Sequence, residues 1–457
     1  MRHKHFAALA IISAATIILS PFCIAAQEVT SLNSAAEDDK NAGKGFLKRI
    51  AGAEAKAPVG WSGIPLPIIS FNSTLGFQFG VCGDFFDYAD TYPDYRHRIN
   101  FEASHYTGGQ SFFHVQYDSR KLIPGIRMTA SASFQIDPFF HFYGLDGISF
   151  NPNGIGSYDE SVDEKNGLAF YDYSRNMLRI FSNFQGTITG PLNWNAGINF
   201  WYMDTKPTHS NKFDPGNSLY VQMRDANILS GKDLGGCRLE LKAGISVDTR
   251  DNAAAAQKGF QADAYLTGSP DFFSDGFGYL KISLRWRHYL TLIQDRLVFA
   301  YHLGWQQNLA GKAPFYMQSV IYALYLNQAT TDGIGGINTL RGVFNSRLLG
   351  EGYAWTNIEL RLRLFDFNLL QQHFSVGINP FFDAGMITKA YKIDELSQYY
   401  GETPENLRKM AHAIHCSAGG GLKLTWNRNF ILSFEGAAPL RKDDGRFAFY
   451  ATLNYIF

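Results

Sequence analysis

From Trp61 to Phe457 apolar and polar residues alternate with a period of two, in runs separated by turn-forming segments. In "RLELKAGISVD", Leu239, Leu241, Ala243, Ile245 and Val247 share one face, and Arg238, Glu240, Lys242, Ser246 and Asp248 share the other. "YLKISLRWRHY" sets Leu280, Ile282, Leu284 and Trp286 against Lys281, Ser283, Arg285 and Arg287, and "RLVFAYHLGWQ" carries an apolar stripe of Leu297, Phe299, Tyr301, Leu303 and Trp305. Period two predicts strands, because successive side chains of a strand point to opposite sides of its sheet. Sixteen strands are predicted, near 62–71, 74–86, 95–107, 110–119, 126–138, 170–188, 192–206, 236–249, 259–268, 277–290, 295–309, 352–366, 372–386, 412–426, 428–437 and 446–457. The long connections, 139–169, 207–235, 310–351 and 387–411, all follow odd-numbered strands, so they leave from one end of the sheet. Even-numbered strands are followed by short ones such as "KLIPG", "GPLN", "TRDNAAAAQKG" and "TLIQ".

Composition narrows the architecture. With 44 glycines, 24 tyrosines and 38 phenylalanines, the chain favours β-structure over helix. A soluble sandwich alternates too. Here the polar faces carry paired like charges and the apolar faces are studded with aromatics, which suits a polar lumen inside a lipid-facing wall. Arg2, His3, Lys4 and His5, followed by "FAALAIISAATIILSPFCIAA", read as a signal peptide over 1–26. Phe22 stands where a lipoprotein signal expects a small residue before Cys23, which argues against lipidation. After the leader nothing approaches the ~20 apolar residues of a membrane helix, so an exported membrane protein of this composition must close into a barrel. The expected fold is therefore all-β, a 16-stranded antiparallel transmembrane β-barrel over 61–457 with a long loop folded into the lumen. It belongs in the outer membrane of a Gram-negative bacterium, with both termini periplasmic and outer-membrane lipids around it. Residues 27–60 read as a disordered periplasmic linker, with a short interfacial helix in "GFLKRIAGAEAK" as the alternative. Cys82, Cys237 and Cys416 are an odd, scattered set and suggest no disulfide framework. Balanced charge, 41 basic against 41 acidic residues, argues against a nucleic-acid binder.

The connection 310–351 is too long for a hairpin, and its glycine-rich centre carries Thr339-Leu340-Arg341-Gly342. Folded inward, Arg341 needs carboxylates within bidentate reach. Strand parity supplies them. Asn357, Glu359, Arg361 and Arg363 point inward from the twelfth strand and Phe381 and Asp383 from the thirteenth. On the fourteenth, Gly419 and Gly421 leave room for a loop. The last strand, "RFAFYATLNYIF", alternates to a terminal Phe457. Pro65 and Pro67 cannot donate ladder hydrogen bonds, so a seam between the first and last strands is expected to be poorly bonded.

These residues carry a resemblance. "LRGV" after "GGIN", the inward Glu359, the F-x-D of "FFD" and the G-x-G of "GGG" resemble the motif set of the BamA/TamA/FhaC superfamily of outer-membrane assembly and secretion barrels. "FYGLDG" (Phe142 to Gly147) is similar to a segment of its surface-antigen branch, and Asp248, Arg250, Asp251 and Gly259 resemble its periplasmic turn. The resemblance implies a loop-to-barrel lock of Arg341, Gly342, Glu359, Phe381, Asp383, Gly419 and Gly421. It also implies insertion or translocation of proteins, with lipids as a further cargo class, through a weak seam at Pro65, Pro67 and Phe457. Unfolded clients or periplasmic partner proteins are the implied partners. Two departures stand out: Val343 replaces the usual aromatic, and residues 27–60 leave no room for POTRA domains.

Rival readings are a passive channel, with Arg285, Arg287, Arg361 and Arg363 setting ion preference, and a barrel in which Arg341 is only a staple. His412, His415 and Cys416 in "HAIHC" fit neither a hydrolase signature nor a standard metal-ligand spacing. No catalytic residue, metal or cofactor is expected.

Overall fold

The computed structural model describes residues 60–72, 76–88, 95–159, 169–208, 218–252, 255–322, 331–369, 372–426, 430–453 and 455–457. The expected leader, the candidate interfacial helix and all of the linker but Gly60 lie outside them.

The strands are β1 (Trp61–Asn72), β2 (Gly76–Asp87), β3 (His97–Tyr106), β4 (Ser111–Ile123), β5 (Ile126–His141), β6 (Asp172–Thr189), β7 (Leu192–Pro207), β8 (Gly235–Asp248) and β9 (Gly259–Ser269). They continue with β10 (Tyr279–Ile293), β11 (Leu297–Gly311), β12 (Gly352–Leu369), β13 (Gln372–Ile378), β14 (Phe381–Lys389), β15 (His415–Trp426), β16 (Phe430–Pro439) and β17 (Ala448–Leu453). These seventeen form one antiparallel meander in which sequence neighbours pair. Where one strand over 372–386 was expected, the chain makes two. β13 and β14 both pair with β12 on one side and β15 on the other, so they occupy a single place in the wall. The interruption falls at Asn379-Pro380, because proline has no N–H to give a ladder. The sixteenth expected strand, 446–457, is also revised: its ladder ends at Leu453, and 455–457 leave the sheet.

The alternation sorts the two faces as the sequence implies. Leu241, Ile245, Leu284, Leu303, Leu360 and Leu422 are exposed on the outside, while Arg238, Glu240, Lys281, Arg285, Glu359 and Asp383 are buried within. Cys82 is buried on the inner face, and Cys237 and Cys416 are free thiols.

At the long-loop end the connections pack together as a cap. Its apolar cluster combines Phe142, Leu145, Ile148 and Phe150 with Leu219, Tyr220 and Met223 of α1 (Leu219–Asp225). Phe315 and Leu349 join from the next long loop. Leu396 and Leu407 come from α2 (Ile393–Tyr400) and α3 (Pro404–Ala411), the latter capped by Thr403. "FYGLDG" is the clasp between these loops. Asp146, held at φ +57°, donates its N–H to Leu349 O (2.7 Å). Its carboxylate accepts the N–H groups of Tyr391 (2.6 Å) and Lys392 (3.2 Å). Burial pushes the Asp146 carboxyl up to about 7; those two amides pull it down, and Glu351 and Glu395 push it further up.

A cap with a docked carboxyl near 7 binds its proton more tightly than an undocked aspartate at ~3.9. Docking is then fully supported below that lower value and loses support as pH rises towards 7. Amide exchange in α2, corrected for its intrinsic pH dependence, is expected to accelerate between about pH 4 and 7, to level off above, and to be pH-independent in D146N.

Candidate functional site

Residues 331–350 descend from the cap against the inner wall. Antiparallel bridges at Ile334–Leu348 and Gly336–Leu340 close the segment on itself, and Thr339 Oγ1 ties it further to the backbone of Gly335. Arg341 stands at the tip of this tight turn, fully buried. Its Nε and Nη2 donate to the two oxygens of Asp383 at 2.8 Å each, and its backbone N–H reaches Oδ2 of the same group at 3.1 Å. Nη1 donates to Glu359 Oε1 (2.7 Å) and to Glu435 (3.2 and 3.3 Å). The guanidinium lies over the Phe381 ring, 3.4 Å from its centroid.

The charges close on themselves. Arg361 binds Glu359 at 2.9 Å and Lys423 binds Glu435 at 2.6 Å, so Arg341, Arg361 and Lys423 face Glu359, Asp383 and Glu435, three against three. Asn379, at the strand interruption, donates to Glu435 (2.9 Å) and Glu359 (3.4 Å). Burying so many charges is tolerable only because each is paired and hydrogen-bonded.

Glycine makes the fit possible at two places. Gly342 sits at φ +84°, and a Cβ there would lie 2.9 Å from the backbone of Ala437; its N–H donates to Tyr450 Oη of β17 at 2.9 Å. At Gly419 a Cβ would fall 2.5 Å from Phe381 Cζ. The gap expected to admit the loop at Gly419 and Gly421 is thus taken by wall side chains, Phe381 at the first and Asn379 and Glu435 at the second. Gly419 makes room for the ring on which the guanidinium rests. Val343 is buried beside Leu340, and the next residue, Phe344, provides an aromatic that stacks on Tyr143 at 4.8 Å.

The sequence reading had Glu359, Phe381 and Asp383 but missed Glu435, Lys423, Asn379 and Tyr450. Glu435 was within reach of parity, since Ser433 and Glu435 alternate with Leu432 and Phe434 along β16. Arg363 pairs with Asp366 near the end of β12, away from the cluster. Phe457, expected on the seam, lies inside the barrel. Arg361 donates to its backbone oxygen (2.8 Å) and lies 4.9 Å from its ring, which also stacks on His302. A guanidinium that offers both a donor and a cation to one terminal residue outweighs extension of an exposed strand. Pro65 and Pro67 are exposed within β1, opposite Gly83 and Val81 of β2. Because that ladder runs through both prolines, their missing N–H groups belong to the other edge. At the opposite end of the barrel, Asp248 holds Arg250 at 2.8 Å, and Asp251 accepts from the backbone of Gln257 (3.0 Å) and Lys258 (3.3 Å). Gly259, φ +95°, permits the return. His415 binds Asp444 at 2.7 Å and His412 faces Ile387 O at 2.8 Å, so the histidines of "HAIHC" serve different neighbours.

An Omp85 superfamily domain matches residues 156–457. The chain belongs to the Omp85 superfamily. Among solved structures, a BamA from Haemophilus ducreyi lacking POTRA domains 1–3 is similar at TM-score 0.52 and 14% identity, over 87% of this chain and 70% of that one. CdiB from Escherichia coli is similar at TM-score 0.53 and 10% identity, over 88% of this chain and 63% of the CdiB chain. At these identities the likeness is one of fold. No curated protein matches the chain in sequence. Omp85 members are outer-membrane transport or assembly barrels.

Removing the guanidinium leaves three carboxylates against two cations in a buried site. Arg341→Ala is expected to destabilise the barrel by about 3–5 kcal/mol, read as the denaturant midpoint of folded protein in detergent. Adding Glu435→Gln to it should restore part of the loss, since one uncompensated charge goes with it. Gly342→Ala should destabilise although no polar contact is deleted.

Proposed function

We propose that this Omp85 barrel inserts or translocates protein clients at the outer membrane, using the edge between β1 and β17, with lipids as a further cargo class. The observation that carries the reading is the mismatch of those two strands. β1 has 12 residues and β17 has 6, and the residues beyond β17 turn into the lumen. Part of the β1 edge thus finds no partner in β17, and the positions of Pro65 and Pro67 offer that edge no donor. An incoming strand can pair where the carbonyls and the remaining N–H groups are unmatched, by β-augmentation.

The lock fits the same reading. Arg341 ties a loop to β12, β14 and β16, and Gly342 extends the contact to Tyr450 of β17, so the wall next to the edge keeps its shape while the edge itself exchanges partners. The cap and the inward loop weigh against a passive open channel, because aromatic and aliphatic side chains fill the long-loop end. On this reading the long loops face outward and the short turns and both termini face the periplasm.

Cysteines placed on the facing edges of β1 and β17 give the test. Oxidised, purified barrel in liposomes is expected to lose insertion of a client barrel. Reductant should restore it, with the unmodified chain in the same reductant as reference. Insertion at the original rate with the edge closed would remove the edge from the mechanism.

A further inference from the structure

The loop that carries Arg341 has a second limb. Residues 312–322 leave β11 and pack on the opposite wall, where Ala313, Tyr316, Met317 and Val320 meet Met177, Trp201, Met203 and Tyr279. The polar contacts here are of another kind from those of Arg341. Lys281 Nζ donates to Met317 O (3.0 Å), and Gln306 binds Val320 O and the N–H of Tyr322, each at 2.8 Å. At the centre lies Glu240, fully buried on β8. Its Oε1 accepts Tyr279 Oη (2.6 Å) and Tyr322 Oη, and its Oε2 accepts Trp201 Nε1 (2.7 Å) and Asn199 Nδ2 (3.4 Å). Among these partners only Tyr322 belongs to the loop; the others belong to the wall.

We propose that Glu240 is a second anchor of the lumen loop, and that its bond to Tyr322 is a latch releasing the β7–β10 wall while Arg341 still holds β12 to β16. The asymmetry follows from the chemistry of the two ends. Arg341 is held by three carboxylates and a ring. Tyr322 is held by one phenol–carboxylate hydrogen bond and by its N–H to Gln306 Oε1, with Gln306 Nε2 and Lys281 Nζ holding the carbonyls of Val320 and Met317 before it. A strut with unequal ends parts at the weaker one. The limbs meet where Gly333 N donates to Ser319 O (2.8 Å) and Ile321 packs beside Ile334, so freeing the first limb need not unseat the second. Detachment would open a path along the inner face of β7–β10, whatever the cargo. Glu240 is in this sense a positioning residue.

The test compares two tyrosines that lose the same atom. Tyr322→Phe removes the loop's hydroxyl from Glu240; Tyr279→Phe removes a wall hydroxyl from the same oxygen. Full-length protein in planar bilayers is expected to spend roughly tenfold more time in an open state as Y322F, since a hydrogen bond to a charged group is lost from the closed form alone. Y279F should behave like the unmodified chain. Closed-state behaviour in Y322F, or equal opening in both variants, overturns the latch and leaves Glu240 a general support of the wall. If Y322F does not fold to a heat-modifiable barrel, Glu240→Gln, which keeps an acceptor but loses the charge, takes its place. E240Q must then open more than Y279F, and any lesser effect counts against the proposal.

Discussion

A guanidinium cannot be left bare inside a barrel. Arg341 is fully buried, and the cost of removing that charge from water is offset only by geometry that reaches three strands at once. That requirement fixes much else. It sets the register of β12, β14 and β16 at one level, demands Phe381 beneath the plane of the charge, and demands glycine at 419 to admit the ring. It also demands Gly342, where the loop backbone touches β16. Arg361 and Lys423 then balance the carboxylates that Arg341 does not neutralise alone.

The inner wall is divided by chemistry. Towards β12 to β17 it is ionic, and the loop is bound by charge. Towards β7 to β11 the loop meets phenols, an indole and amides gathered around Glu240, with Lys281 donating to the Met317 carbonyl. One loop spans both territories. Above them the cap is a hydrophobic core made almost wholly from connections, with Asp146 fastening two of them through backbone amides. The long-loop end of the protein is thus packed as a globular domain is packed, whereas the wall below is a single sheet with one face in lipid.

The wall was legible in the sequence because a two-residue period survives any tertiary context, and most strand limits agree within a few residues. Glu359, Phe381 and Asp383 were legible for the same reason. The single strand expected over 372–386 runs across Pro380 because the residues on either side keep the same parity. What could not be read depends on contacts between distant segments. Glu435 needed the register of β16, Glu240 and Tyr322 are 82 positions apart, and the cap has no period at all. Phe457 continued the alternation faithfully, yet Arg361 draws it inward. Local pattern lost there to one cation with two uses for the same residue.

Arg361 therefore stands between two systems that look separate. One of its nitrogens braces the carboxylate that receives Arg341, while another holds the backbone oxygen of Phe457. Straightening the last residues to lengthen β17 would strip that carbonyl from the guanidinium and leave Glu359 a looser neighbour. The tail thus acts as a tether: how far the final strand is drawn out and how firmly the interior loop is gripped become one quantity, shared through a single side chain.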